Sequence, residues 1–360
     1  MTDEACIRRT LTLARRAEGM TSPNPMVGAV LVKHGKIIAE GYHRKAGTPH
    51  AEVIAIEKAG LDASGATLYV SLEPCCHKDK RTPPCTETII AAGINKVVIA
   101  MQDPNPKVSG KGIEELRKAG IEVISGILED KARQLNEFYI KHITTHQPFV
   151  VLKVAMTLDG KIATPVGESK WITGEKARKE VHRLRGKVDA LLTAIGTIRA
   201  DDPLLTCRTG RLKNPIRIIL DPDLDIREDA NVLTCPPGTI VVTNNGSSRK
   251  KRERLQGKGV SLIEHTGNRI DLQWLMNRLG AEGIISVLIE GGSSLASSCL
   301  EAGIVDKVIF YIAPKIIGGE KSFPAVGGKA FRSLSQAHML RRTECRRIGD
   351  DFVIEGYLDR

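Results

Sequence analysis

The sequence predicts an α/β protein built as two domains in tandem. Three observations carry this. Apolar, strand-like runs alternate with helix-like segments from end to end, the pattern of sheets with helices laid on them. The alternation is interrupted at His146-Gln147-Pro148, after which a new strand series begins. The length of 360 residues suits two domains of roughly 100–200 residues each. The expected domains are residues 1–146 and 147–360.

In the first domain Thr2 caps a helix that reaches about Arg16, and Gly19 ends it. Val27–Lys33 and Lys36–Gly41 read as a hairpin about His34-Gly35. A helix follows from about His50 to Ala59, stopped by Gly60. Thr67–Leu72 is a strand that leads into a cysteine cluster and a helix over Thr86–Ala92. Strand Lys96–Met101, a helix near Gly112–Ala119, strand Glu122–Ser125 and one last helix, Glu129–Ile143, complete a sheet covered on both faces. In the second domain strands are expected at Phe149–Met156, Asp189–Ile195, Ile216–Asp221, Thr239–Thr243, Ile285–Glu290, Lys307–Tyr311 and Asp351–Tyr357. Helices fall near Lys176–Gly186, Leu272–Leu279 and Ser293–Ala302. The basic stretch Asn244–Lys258 reads as a solvated loop and helix face.

Composition narrows the function. The chain is 41% hydrophobic and 26% charged, ordinary for a globular protein. No run approaches the ~18 apolar residues of a membrane span. The opening MTDEACIRRT lacks the apolar core of a secretory signal, so the expected location is the cytoplasm. Eight cysteines in such a chain are expected as thiols rather than disulfides. The net charge is +11, of which residues 1–146, with 20 Lys+Arg against 17 Asp+Glu, hold only 3. A basic balance suits anionic partners. Aromatics at 4% are poor material for stacking bases, which favours phosphorylated small molecules over nucleic acid.

The strongest chemical signal is His50-Ala51-Glu52 combined with Pro74-Cys75 and Cys85. One imidazole and two thiolates leave a fourth tetrahedral zinc position open for water, whose pKa the metal lowers toward ~7. Glu52, two residues beyond His50, suits a proton shuttle between water, ring nitrogen and leaving amine, the arrangement of zinc deaminases. Each fragment alone has a plainer reading: a surface helix turn, or buried thiols. A structural zinc knot involving Cys76 and His77 is the alternative for the cluster. Order, spacing and a helix start at each half favour the catalytic reading.

The segments TSPNPMVG (21–28), TPHAEVIAI and SLEPCCHKDKRTPPC resemble the N-terminal domain of the bifunctional riboflavin-biosynthesis deaminase–reductases. That resemblance implies a cytidine-deaminase-like fold and a diaminopyrimidinone substrate carrying a ribosylamino 5′-phosphate. It implies that His50, Cys75 and Cys85 hold zinc, that Glu52 is catalytic, and that Asn24 contacts the pyrimidine. His77, with Lys80 or Arg81, would meet the ribose phosphate. One departure stands out: the family usually has eight residues between the ligand cysteines, and nine separate Cys75 from Cys85 here. Counting back from Cys85 with the family spacing lands on Cys76. We expect Cys75 to be the ligand, because a spare residue is easier to absorb in the exposed loop after His77 than in the Glu73-Pro74 step.

The second domain lacks the usual Gly-x-Gly-x-x-Gly of dinucleotide sites. Glu290-Gly291-Gly292-Ser293, between an apolar strand and a helix, permits close approach of a phosphate to a helix N-terminus, though a tight turn alone would look the same. Further segments, LKVAMTLDGK from Leu152, SKWIT from Ser169, GTIRADDP from Gly196 and Ala313-Pro314-Lys315, resemble the reductase half of the same family. The resemblance implies a dihydrofolate-reductase-like fold that uses NADPH to reduce the ribosyl carbon to a ribityl chain. By resemblance, Ala155, Trp171, Thr197, Asp201, Pro222, Gly292, Ser293 and Ser294 lie against NADPH. Lys153, Ser169, Arg185, Leu205, Arg208 and Glu290 would meet the substrate. Arg185 and Arg208 suit a phosphate through paired hydrogen bonds. The plain alternatives are an exposed helix arginine for Arg185 and core packing for Trp171.

Two other functions compete. A tRNA deaminase with an appended RNA-binding module explains the zinc site and the charge, but not the Glu290-Gly-Gly region. A binding protein with a structural zinc has no use for Glu52. The expected cofactors are therefore Zn²⁺ and NADPH, the partner a phosphorylated pyrimidine, with no nucleic acid and no membrane, in a homo-oligomer.

Overall fold

The first helix forms where its cap predicts: the Thr2 hydroxyl accepts the Ala5 N–H at 3.3 Å and begins α1 (Asp3–Ala14). The structure is a computed structural model that describes residues 1–77, 83–210, 212–267, 269–329 and 333–359. It divides into two compact units, Met1–His146 and Gln147–Arg360.

Unit 1 continues with β1 (Gly28–Lys33), β2 (Lys36–Tyr42), α2 (Ala51–Ala59), β3 (Thr67–Val70), α3 (Cys85–Ala91), β4 (Lys96–Ile99), α4 (Lys111–Lys118), β5 (Glu122–Ser125), α5 (Glu129–Leu135) and α6 (Glu137–Thr145). The sheet order is β2-β1-β3-β4-β5. β1 runs antiparallel to β2 and β3, while β3, β4 and β5 are parallel. The period-2 alternation of β1 splits the core in two. Ala29 and Leu31 join residues of α2, α3 and α4 on one face, and Val30 joins Ile7 and Leu11 of α1 on the other. These directions bring the start of β1 and the ends of β2, β3 and β4 to one edge of the sheet. At Gly41 on β2, α2 comes so close that a Cβ would lie 2.2 Å from the Ala51 carbonyl oxygen.

The expected single helix Glu129–Ile143 is two helices. Asn136 leaves the helical region at φ −110° and turns its amide to the Met26 backbone, accepting its N–H at 2.8 Å and donating to its carbonyl at 3.0 Å. A contact made 110 residues away breaks what the local pattern continues.

Unit 2 comprises β6 (Phe149–Thr157), β7 (Lys161–Ala163), α7 (Glu175–Lys187), β8 (Ala190–Ala194), α8 (Ile195–Asp201), β9 (Ile216–Leu220), β10 (Thr239–Asn244), α9 (Arg249–Gly257), β11 (Ser261–His265), α10 (Leu272–Ala281), β12 (Ser286–Ile289), α11 (Ser293–Glu301), β13 (Lys307–Ala313), β14 (Phe323–Pro324), β15 (Leu340–Ile348) and β16 (Asp351–Leu358). The nine-stranded order is β11-β10-β9-β8-β12-β6-β13-β16-β15, parallel from β11 to β13 and closed by two antiparallel strands. β7 and β14 pair separately. The core sits between β6, β8 and β12 and the apolar faces of α10 and α11, with Val150, Leu152, Leu192, Val287, Leu275 and Cys299 among its residues.

The sequence reading omits β7, β11, β14, β15 and α8. It takes Asn244–Lys258 as a loop and helix face, where α9 forms a nine-residue helix anchored by the buried Leu255. No helix among the described residues is long and apolar enough to cross a membrane.

The close contact at Gly41 makes a direct prediction. Gly41→Ala forces α2 off β2 and lowers the stability of unit 1 by about 1–3 kcal/mol. Thermal melting of the variant measures this, and an unchanged melting temperature would contradict the close packing.

Candidate active sites

Four segments of unit 1 meet at the shared edge of its sheet: the loop before β1, the stretch from the end of β2 into α2, the residues after β3 and those after β4. Together they line a cavity of about 590 Å³ that includes Asn24, His43, His50, Glu52, Cys75, His77 and Asp103. His50 caps α2 in extended backbone, and Cys85 is the first residue of α3, fully buried. The His50 Nδ1 lies 3.2 Å from Cys85 Sγ and 3.5 Å from Cys75 Sγ, and the three donor atoms all lie within 4.8 Å of one another. Tetrahedral zinc with ordinary Zn–N and Zn–S lengths needs N···S edges of about 3.5 Å, so this donor set fits the ion. Cys76 is not in this group. Burial pushes its thiol pKa up, with the Glu115 and Glu73 charges adding to the effect.

Two features fix Cys75. The buried Glu73 carboxylate accepts backbone N–H groups from Asp103 (3.1 Å), Gly110 (3.0 Å) and Ile113 (3.2 Å). Gly112 lies against the next residue, where a Cβ would sit 2.2 Å from the Pro74 carbonyl oxygen. The Thr86 N–H then donates to the Cys75 carbonyl at 3.3 Å and joins the two cysteine segments. Glu52 is buried in the cavity wall, and burial raises its carboxyl pKa, with His50 partly opposing.

Of the residues expected to bind substrate, Asn24 and His77 line the cavity. Lys80 and Arg81 lie outside the described residues. The sequence reading did not single out His43, Asp103, Asn105, Tyr139 or His142, which also line it. Burial raises the Asp103 pKa to about 6 against the lowering effect of its bonds to the Asn105 N–H and the Tyr139 hydroxyl. Its signal was Asp103-Pro104-Asn105-Pro106 directly after a strand, a polar loop where ligands of α/β sheets gather.

In unit 2 the expected cofactor residues fall at the carboxyl ends of adjacent strands: Ala155 late in β6, Thr197 after β8, Pro222 after β9 and Gly292 after β12. Gly292 caps α11, with Ser293 and Ser294 in its first turn, and a Cβ at Gly292 would meet nothing within 4 Å. The buried hydroxyls of Thr193 and Ser293 have no partner among the described residues. Open space at a helix N-terminus beside such hydroxyls fits the phosphates of NADPH. Asp201 pairs with Lys170 at 3.0 Å. Trp171, for which core packing was the alternative, is 63% exposed, with the Arg178 guanidinium 4.6 Å from its ring centre.

Lys153, Arg185 and Glu290 come together. Arg185 donates to both Glu290 oxygens at 2.7 and 3.0 Å and to the Thr206 carbonyl at 3.2 Å, and Lys153 Nζ lies 3.4 Å from Glu290. Arg185 is thus engaged by a carboxylate rather than left as a free helix cation. Burial would raise the Glu290 pKa, but Arg185 and Lys153 hold it down at about 2. Leu205 is buried at a positive φ of 52°, Ser169 is half-buried and Arg208 is exposed. Among the described residues no side-chain hydrogen bond or ion pair joins these last three to Glu290.

Comparison with known proteins accords with both geometries. Residues 1–101 match the cytidine and deoxycytidylate deaminase zinc-binding region, and residues 148–354 match the RibD C-terminal domain. The chain is 44% identical to the riboflavin biosynthesis protein RibD of Actinobacillus pleuropneumoniae over 99% of this chain and 95% of that protein. It is 46% identical to RibD of Aquifex aeolicus, covering 98% and 97%. Among solved structures, Acinetobacter baumannii RibD superposes with a TM-score of 0.91 at 38% identity, covering 99% of each chain. A diaminohydroxyphosphoribosylaminopyrimidine deaminase/5-amino-6-(5-phosphoribosylamino)uracil reductase from Thermotoga maritima gives 0.87 at 38% identity, again over 99% of each. The chain therefore belongs to the RibD family, the bifunctional deaminase–reductases of riboflavin biosynthesis.

Proposed function

We propose that unit 1 deaminates 2,5-diamino-6-ribosylamino-4(3H)-pyrimidinone 5′-phosphate and that unit 2 reduces the ribosyl group of the product to ribityl. The observation that carries this is the His50–Cys75–Cys85 donor set with the buried Glu52 in one cavity. His50, Cys75 and Cys85 would hold the zinc. When bound, zinc supplies the Lewis acidity that makes water a nucleophile at neutral pH. Glu52, its pKa raised by burial, takes a proton from the attacking water and passes it to the ring nitrogen. It carries the water's second proton to the departing amine, so that the ring C–N bond breaks and ammonia leaves. Asn24 orients the pyrimidine, and His77 with Lys80 or Arg81 meets the phosphate.

In unit 2 the carboxyl ends of β6, β8, β9 and β12 would hold NADPH, which would supply the hydride for C1′ of the ring-opened, imine-like sugar while a proton from solvent reaches the imine nitrogen. Arg185 and Lys153 keep Glu290 ionised, a fixed acceptor for sugar hydroxyls. Ser169, Leu205 and Arg208 complete the substrate side. The tRNA-deaminase reading is not favoured, because the second unit is a reductase fold rather than an RNA-binding module. Within this proposal the protein works in the cytoplasm as a homo-oligomer.

Glu52→Ala cuts ammonia release by about 10²–10⁴-fold while reduction of supplied deaminated substrate stays nearly intact. Loss of both activities in a folded, zinc-loaded variant would refute two independent sites. Cys75→Ser loses bound zinc and deamination, whereas Cys76→Ser keeps both; the reverse pattern, read by metal analysis, would move the ligand to Cys76. Glu290→Gln leaves two partly buried cations without their counter-charge and destabilises unit 2 by roughly 2–4 kcal/mol. Reductase activity falls with it while ammonia release persists, and a variant that reduces normally would remove Glu290 from the site.

A further inference from the structure

Asn24 stands in a loop with unusually complete support. It lies between Pro23 and Pro25, whose rings restrict the backbone on both sides. Its own N–H donates to the Thr21 carbonyl at 2.8 Å. Two residues on, Met26 has both backbone groups taken by the Asn136 side chain, at 2.8 and 3.0 Å. Asn136 is 2% exposed and occupies the break between α5 and α6, so an otherwise continuous helix is interrupted at the residue that makes this bridge.

The Asn24 side chain has its own anchor. His43, 3% exposed, places Nδ1 3.2 Å from the Pro49 carbonyl and Nε2 3.2 Å from Asn24 Nδ2. A carbonyl only accepts, so Nδ1 carries the hydrogen, and in the neutral ring Nε2 then offers a lone pair. Asn24 must meet that lone pair with its NH₂ group, because the flipped amide would set oxygen against it. The amide oxygen of this cavity-lining residue is then not used by His43 and is available to a ligand.

We infer that Asn136 and His43 are positioning residues for deamination, which together hold Asn24 so that its amide oxygen reads a hydrogen-bond-donating edge of the pyrimidine. This rests on the assignment of the cavity as the deaminase site. Within this inference both act through Asn24, and the His43 ring, which also packs edge-on to His50 with centres 5.3 Å apart, is tested for that second role by the zinc content of its variant.

The test uses the full-length, zinc-loaded protein with Asn136→Asp, which sets an oxygen against the Met26 carbonyl, and His43→Phe, which keeps a ring but neither hydrogen bond. Asn136→Ser replaces the former if it does not fold. Each is expected to raise KM for the phosphorylated pyrimidine about tenfold, the equivalent of one hydrogen bond, with kcat changed little and bound zinc unchanged. In an Asn24→Ala background, which itself raises KM, neither should have a further effect. Unchanged KM in the folded variants, an equal rise with or without the Asn24 side chain, no effect of Asn24→Ala, or loss of zinc would each overturn the inference. Persistence of ammonia release in Glu52→Ala would instead show that the deaminase assignment of the cavity is at fault.

Discussion

Each unit is organised by a glutamate buried just past the end of an interior strand: Glu73 shortly after β3 and Glu290 next after β12. A carboxylate removed from water costs several kcal/mol unless its oxygens are fully engaged. The two units meet that demand differently. Glu73 gathers three backbone N–H groups from the segment that follows β4, so one side chain joins the ends of two strands and sets the step from which Cys75 projects. Glu290 is engaged by Arg185 and Lys153, which join α7 and β6 to the end of β12. Neutral donors give a rigid scaffold beneath the first site. Cations give the second a fixed charge within it.

The electrostatics differ accordingly. In the first cavity burial raises the carboxyls of Glu52 and Asp103, the latter to about 6, toward the range where protons are exchanged near neutrality. In the second, Glu290 is held near 2 and stays charged. Hydrolytic deamination moves protons between water, ring and amine. Hydride transfer to a sugar carbon needs geometry and a stable field more than a shuttle of that kind. Glutamate is thus tuned in opposite directions, upward at Glu52 where burial outweighs His50 and downward at Glu290 where two cations outweigh burial.

Much of this was readable from local pattern. His50-Ala-Glu52 and Pro74-Cys75 announce themselves because helix starts and strand ends place them with short-range rules. The hairpin, the parallel strands and the Gly291-Gly292 turn follow from apolar runs and breakers. What escaped depends on distant partners. Asn136 looks like a tolerable helix residue until Met26 claims its amide. β15 reads LRRTECRRI and, nearly all exposed, lacks the alternation that marks a strand; only pairing with β16 makes it one. Arg185, expected from the sequence to meet the substrate, hides its pairing with Glu290 because that acid lies 105 residues away. His43 carries no sequence signal and Asp103 only that of a polar loop after a strand, and the fold alone turns both into the same cavity.

The hydrogen bond from the Thr86 N–H to the Cys75 carbonyl has a consequence for how such sites diversify. It fastens together the two ends of the segment between the cysteines, while Glu73 and Gly112 brace one end and the start of α3 the other. The number of residues strung between those ends is then decoupled from the placement of the donor atoms. Evolution can then lengthen or recompose that stretch without moving the donor atoms. The same stretch offers protein engineers a place to graft new sequence.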